Sequence, residues 1–188
     1  MRFISAIFII FLLCSCTHNR NVRGVEKFVG QQIYLPQDWD AVWRGRDTVL
    51  NDFIDVPIKL VVWVDSLGCA SCEVSQMSGW KDIVGYADSL AHSFRIIYLF
   101  TPKRHSSRGV KVNLRPRTFD YPLFLDRNAT FVKLNPNLPQ NPKLHTFLLD
   151  KNNKVVCVGS PLHNASLWAF YKKTIQSMMD NDGILPER

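Results

Sequence analysis

Val61-Val62-Trp63-Val64-Asp65-Ser66-Leu67-Gly68-Cys69-Ala70-Ser71-Cys72 is an apolar run that stops at a glycine and two cysteines. A continuous run of β-branched and aromatic residues reads as a strand buried on both faces, and the segment from Cys72 onward reads as a helix. Both sulfurs therefore fall at a strand-to-helix junction. There the unpaired N–H groups and positive dipole end of the first helical turn stabilise a thiolate at Cys69. A stabilised thiolate is both a nucleophile and a good leaving group.

Working outward, Val74, Met77, Trp80, Ile83, Val84, Ala87 and Leu90 recur three or four apart, the stripe of an amphipathic helix. Phe94 to Phe100 is a second apolar run, so strand, helix and strand make a βαβ unit with parallel pairing. Pro102 to Arg117 is a long basic excursion; Tyr121 to Leu125 reads as a short strand and Arg127 to Leu134 as a short helix. Two prolines make Leu138 to Pro142 irregular. Leu144 to Leu149 and Val155 to Gly159 form an antiparallel hairpin across Asp150-Lys151-Asn152-Asn153-Lys154, whose Asp and Asn residues suit a tight turn. Ala165 to Met179 closes the chain as an amphipathic helix. On the N-terminal side, Gln32 to Leu35 reads as an edge strand stopped by Pro36, and Ala41 to Leu50 as a hairpin turning at Arg44-Gly45.

The chain has 188 residues, 46% of them hydrophobic, which fits one globular domain with a sizeable core. Arg2 followed by the apolar run Phe3 to Leu13 has the order of an export signal and is too short to span a bilayer comfortably. Its end, Leu13-Cys14-Ser15-Cys16, resembles the bacterial lipobox, in which a cysteine after a small residue is lipidated and becomes the new N-terminus. Cys16 fits that role because Ser15 precedes it, whereas Leu13 precedes Cys14. The resemblance implies a signal peptide over 1–15, a tether over 16–27 and a domain over 28–188, held to a membrane by acyl chains. A soluble secreted protein or an uncleaved anchor are the alternatives. Lipoproteins of the Bacteroides type carry an acidic cluster after the lipidated cysteine as a surface-export signal; Thr17, His18, Asn19 and Arg20 lack one. The anchor is therefore expected to face the periplasm, from the inner or the outer membrane.

The order of elements, a short N-terminal β region, then β, CxxC, α, β, an insert, a β-hairpin and a closing helix, resembles the thioredoxin-like α/β fold, a mixed central sheet flanked by helices. From about Phe28 to Met179 the chain resembles the membrane-anchored thioredoxin-like lipoproteins of Bacteroides-type bacteria, relatives of the TlpA and ResA class of thiol-disulfide oxidoreductases. The resemblance implies Cys69 as nucleophile and Cys72, one helical turn further in, as the resolving thiol. It also implies no cofactor beyond the redox disulfide, exported thiol or disulfide proteins as substrates, and a membrane electron donor. Structural zinc normally calls for a second comparable cysteine pair, and none exists.

Three features depart from that family. Gly68 stands before the first cysteine where members have an aromatic residue, and Ala70-Ser71 replaces the Gly-Pro dipeptide. Where members place a cis-proline, at the start of the first hairpin strand, this chain has His145, just before Thr146-Phe147-Leu148-Leu149. A histidine there can hydrogen-bond at a strand end, or it can join Cys69 and Cys72 in holding Cu or Zn. The second possibility resembles the thioredoxin-fold copper chaperones of cytochrome oxidase assembly, whose cysteines are usually three residues apart rather than two. A catalytically inactive scaffold is the third reading. Asp65 either relays a proton to Cys72 or caps the following turn. Cys157 reads as a buried, inert thiol, and Trp63, Trp80, Phe94 and Trp168 read as core or near-core residues.

The formal charge of +7 is a moderate basic excess that suits an anionic membrane surface and demands no nucleic acid. The excursion carrying Lys103, Arg104, His105, Arg108, Lys111, Arg115 and Arg117 lacks the aromatic interleaving of a single-strand binder. It reads as a solvated loop, or as a docking face for an acidic partner if its charges cluster. A glycine-rich phosphate loop, a nucleophilic serine elbow and a kinase-like set are absent from the sequence. Oligomeric state has no signal in the sequence.

Overall fold

The computed structural model describes residues 22–36, 39–50, 52–65, 77–90, 92–102 and 120–186. Cys16, Cys69, Cys72 and the basic excursion from Lys103 to Arg117 lie outside these residues, as does the expected start of a helix at Cys72.

Two apolar runs build the centre. β3 (Ile58–Val64) is buried at every position and lies parallel to β4 (Phe94–Phe100), in register from Ile58 opposite Phe94 to Val64 opposite Phe100. Side chains alternate between the two faces of a strand, so burial throughout requires a layer on each side. On one face Ile58, Leu60, Val62 and Val64 pack with Ile83 and Ala87 of α2 (Lys81–Ser89) and with Tyr171, Ile175 and Met178 of α4 (Ala165–Met179). On the other, Val61 and Trp63 pack with Phe147, with Phe28 at the end of α1 (residues 22–28) and with Phe131 of α3 (Thr130–Leu134).

β1 (Asp40–Trp43), β2 (Arg46–Thr48), β5 (Leu123–Leu125), β6 (Thr146–Leu149) and β7 (Val155–Val158) complete a sheet of seven described strands in the order β2-β1-β5-β4-β3-β6-β7. β5 is parallel to β4, and the other pairings are antiparallel, so the sheet is mixed as expected. The β1–β2 hairpin turns through Arg44 and Gly45, both at positive φ (50° and 73°), as the two-residue turn matched to strand twist requires. α4 has the expected bounds, started by the Asn164 side chain, which accepts a hydrogen bond from the Leu167 N–H. Among the described residues no helix is long and apolar enough to cross a membrane.

The structure departs from the sequence expectations at several places. Residues 22–28, within or beside the expected tether, are helical, because Phe28 has a core site edge-to-face against Phe147 with ring centroids 5.1 Å apart. The edge strand expected over Gln32 to Leu35 is a single bridge from Gln32 to Lys154. The chain there uses its pairing on the start of β7, with the Val155 N–H donating to the Gln31 carbonyl and the Ile33 N–H to the Asn153 carbonyl. The helix expected from Arg127 starts at Thr130. Ala129 sits at φ 52°, outside helical geometry, while the Asp126 carboxylate accepts from the Thr130 and Phe131 N–H groups. A 3-10 turn, Met77–Trp80, precedes α2, and another, Pro142–Leu144, takes Leu144 out of the strand expected to include it.

Candidate functional site

β3 ends at Val64, and the next residue, Asp65, is the last described before Cys69 and Cys72. The antiparallel neighbour β6 begins at Thr146, so the residue before it, His145, arrives at the same end of the sheet. The Trp63 N–H donates to the His145 carbonyl at 2.9 Å, which locks the two segments together. Asp65 and His145, named from the sequence as supporting residues, are thus brought side by side.

The His145 ring is held on three sides. It lies against the Trp63 indole with centroids 4.1 Å apart and planes tilted by 36°. Nε2 is 2.8 Å from the Pro139 carbonyl oxygen. A carbonyl only accepts, so Nε2 carries the proton and, in the neutral ring, Nδ1 carries the lone pair. Nδ1 faces the Asp65 carboxylate at 3.9 Å, beyond hydrogen-bond range. Burial pushes the imidazole pKa below 6.5; the Pro139 bond and the Asp65 charge pull it up without overcoming that effect. His145 is therefore a neutral, oriented ring at neutral pH.

Trp63 is fixed in turn, its indole N–H donating to the Thr101 hydroxyl at 3.1 Å just beyond β4. A cavity of about 240 Å3 opens at this end of the sheet, bordered by Trp63, Asp65, Trp80, Pro142, His145 and Leu162 among other described residues. The carboxyl ends of parallel strands are where open α/β sheets place ligands.

Cys69, Cys72 and Cys16 lie outside the described residues. Among the described residues no peptide bond is cis, so His145 follows Leu144 through a trans bond, and the bonds before Pro139 and Pro142 are trans as well. No group of three or more His, Cys, Asp or Glu among them could hold a metal ion. Cys157, on β7, is buried with its Sγ 3.9 Å from the Thr174 hydroxyl, and burial pushes its thiol up to about 11. That is the inert thiol the sequence implied.

Sequence reasoning missed the Trp63 stack, the Pro139 carbonyl and Thr101. All three depend on tertiary convergence, and only the aromatic at the end of the β3 run could have drawn attention. It also passed over Lys59, buried within β3 at 7% exposure, although a lysine inside an apolar run is visible in the sequence.

No protein-family model and no curated protein matches the chain. Solved structures do. A putative protein disulfide isomerase from Bacteroides thetaiotaomicron superposes with a TM-score of 0.53 at 17% identity, over 83% of this chain and 95% of that one. A putative thiol:disulfide interchange protein DsbE from Chlorobium tepidum gives 0.50 at 12% identity, over 80% and 97%. A thioredoxin-like protein solved in its oxidised form gives 0.50 at 13% identity, over 80% and 98%. With its mixed sheet and flanking helices, the chain has the thioredoxin-like fold.

Proposed function

We propose that this protein is a thiol-disulfide oxidoreductase anchored to a membrane through Cys16 and facing the periplasm. The observation that carries the reading is a CxxC pair that follows, in the sequence, the central strand of a thioredoxin-like sheet, at whose end Asp65 and His145 border a cavity. Proteins of this fold named as disulfide isomerases and interchange proteins support it.

The Cys69 thiolate attacks one sulfur of a substrate disulfide, forming a mixed disulfide and releasing the other sulfur as a thiolate. The Cys72 thiolate then attacks Cys69, forming the Cys69–Cys72 disulfide and expelling the second substrate sulfur. Two electrons pass to the substrate, and a membrane thiol donor restores the pair. Among the described residues Asp65 and the Nδ1 lone pair of His145 are polar groups at the end of β3 that could take a proton, and resolution of the mixed disulfide requires a proton acceptor at Cys72.

The test is redox cycling of the solubilised full-length chain with insulin and glutathione disulfide. Turnover that disappears in Cys69→Ser supports the proposal; a pair that resists mild oxidation removes it.

The orientation of His145 favours a second reading. With Nε2–H committed to Pro139, Nδ1 is the nitrogen left to bind a soft or borderline ion together with Cys69 and Cys72, and the Pro139 carbonyl would orient the ligand. Equilibrium dialysis against Cu(I), with wild type and His145→Ala compared, decides it. Equal, weak uptake by both removes this reading.

A further inference from the structure

On the face of the sheet that carries Trp63, but at the opposite end, lies a cavity of about 830 Å3. Its size falls in the range of small-molecule pockets. Lys59, the second residue of β3, shares the parity of Val61 and Trp63 and lines it. The residue is 7% exposed, and its ammonium makes no hydrogen bond or ion pair within the described residues; Asp55 and Asp150 act on it only over longer distances. Two other groups at the cavity are fully buried as well as unpartnered. The Trp39 Nε1–H and the Asn153 Oδ1 are buried without a hydrogen-bond partner, and both residues line the same cavity.

A buried donor or acceptor without a partner costs about 1–3 kcal/mol, so native structures hold few of them. Two of them on one cavity, beside a lysine without an ion pair, mark a surface that a ligand completes. The nature of the missing partner follows from what the lining already balances. Asp40 pairs with Arg127, and Lys151 with Asp182. Left over are a neutral donor, a neutral acceptor and an ammonium beside the carboxylates of Asp52 and Asp55. A fully anionic ligand would meet those carboxylates, and a cationic one would meet Lys59. A hydroxyl both donates and accepts from one atom, so adjacent hydroxyls satisfy indole N–H, amide oxygen, ammonium and carboxylate together. The rings of Trp39 and Phe124, with centroids 5.5 Å apart, add apolar surface for the C–H face of such a molecule.

We propose that this cavity binds a neutral, hydroxyl-rich small molecule of the mono- or disaccharide class, independently of Cys69 and Cys72.

The test is saturation-transfer NMR of the solubilised full-length chain against glucose, galactose, N-acetylglucosamine, maltose and cellobiose, with glycine and triglycine as comparison ligands. Transfer to at least one saccharide, unchanged in Cys69→Ser, is expected. Trp39→Phe keeps an aromatic ring and deletes Nε1–H; it should preserve or raise the thermal midpoint while weakening saccharide binding about tenfold. Asn153→Gly deletes the orphaned oxygen at a residue whose φ of 58° suits glycine, and should weaken binding similarly. The proposal is overturned if no saccharide receives saturation from the wild type, if triglycine binds in preference, or if both variants bind as the wild type does.

Discussion

Lys59 and Trp63 stand four residues apart on one face of β3, and each end of that strand buries a titratable group, Lys59 at the start and His145 beyond the end. Burial lowers the pKa of both. The difference lies in what surrounds them. His145 has an indole against its ring, a carbonyl accepting from Nε2 and a carboxylate facing Nδ1, so its burial is answered by contacts that also fix its tautomer. Lys59 has distant carboxylates and a polar cavity. One end of the strand is a completed arrangement and the other an incomplete one. Burial alone does not separate them; the partners do.

Truncation should expose this contrast as opposite signs of stability change. His145→Ala removes the stack on Trp63 and leaves the Pro139 carbonyl without its donor, an expected loss of about 2–4 kcal/mol in denaturant unfolding. A loss below about 0.5 kcal/mol, the range of ordinary surface changes, would mean that the ring only fills space. Lys59→Met keeps a long flexible side chain and removes a charge that burial penalises, so it should gain about 1–3 kcal/mol. Destabilisation by Lys59→Met would show instead that Asp55 and Asp150 hold the ammonium firmly and that the two ends are alike. The redox turnover proposed above should survive Lys59→Met, since Lys59 lies at the far end of β3 from Asp65.

Legibility from the sequence followed the range of the interactions concerned. β3, β4 and α4 were readable because buried apolar runs and an amphipathic stripe are local signals. The Arg44-Gly45 turn was readable for the same reason. The helical residues 22–28 were not, because what anchors them is Phe28 meeting Phe147, more than a hundred residues away in the chain. At the site, the position of His145 could be counted from the hairpin pattern. Its tautomer could not, because that depends on a carbonyl delivered by the irregular segment at Pro139. Lys59 was legible as an anomaly, a charge in an apolar run, but its three-way convergence with Trp39 and Asn153 was not.

Titration separates the two ends by window. For His145 the folded pKa lies below 6.5, so the unfolded chain binds more protons there and stability falls as pH drops through the ordinary histidine range. His145→Gln should flatten that acid limb of a thermal-midpoint profile; an unchanged limb would assign it to carboxylates.

The smaller effect lies on the alkaline side. The folded Lys59 pKa lies below 10.5, so the penalty for burying its charge is full at neutral pH and fades as pH rises towards that value. Raw wild-type profiles hide this, because Cys157, pushed up to about 11, and Tyr121, pushed up to about 12, stay protonated when their unfolded counterparts ionise, which lowers stability as pH rises. The informative quantity is the difference between Lys59→Met and wild type, in which the cysteine and tyrosine contributions cancel. The advantage of Lys59→Met should be largest near pH 7 and shrink steadily towards pH 10.5, the ordinary lysine value. A constant difference would mean that methionine gains by packing alone and that Lys59 carries no burial penalty, which would take away the distinction between the incomplete end of β3 and the completed one.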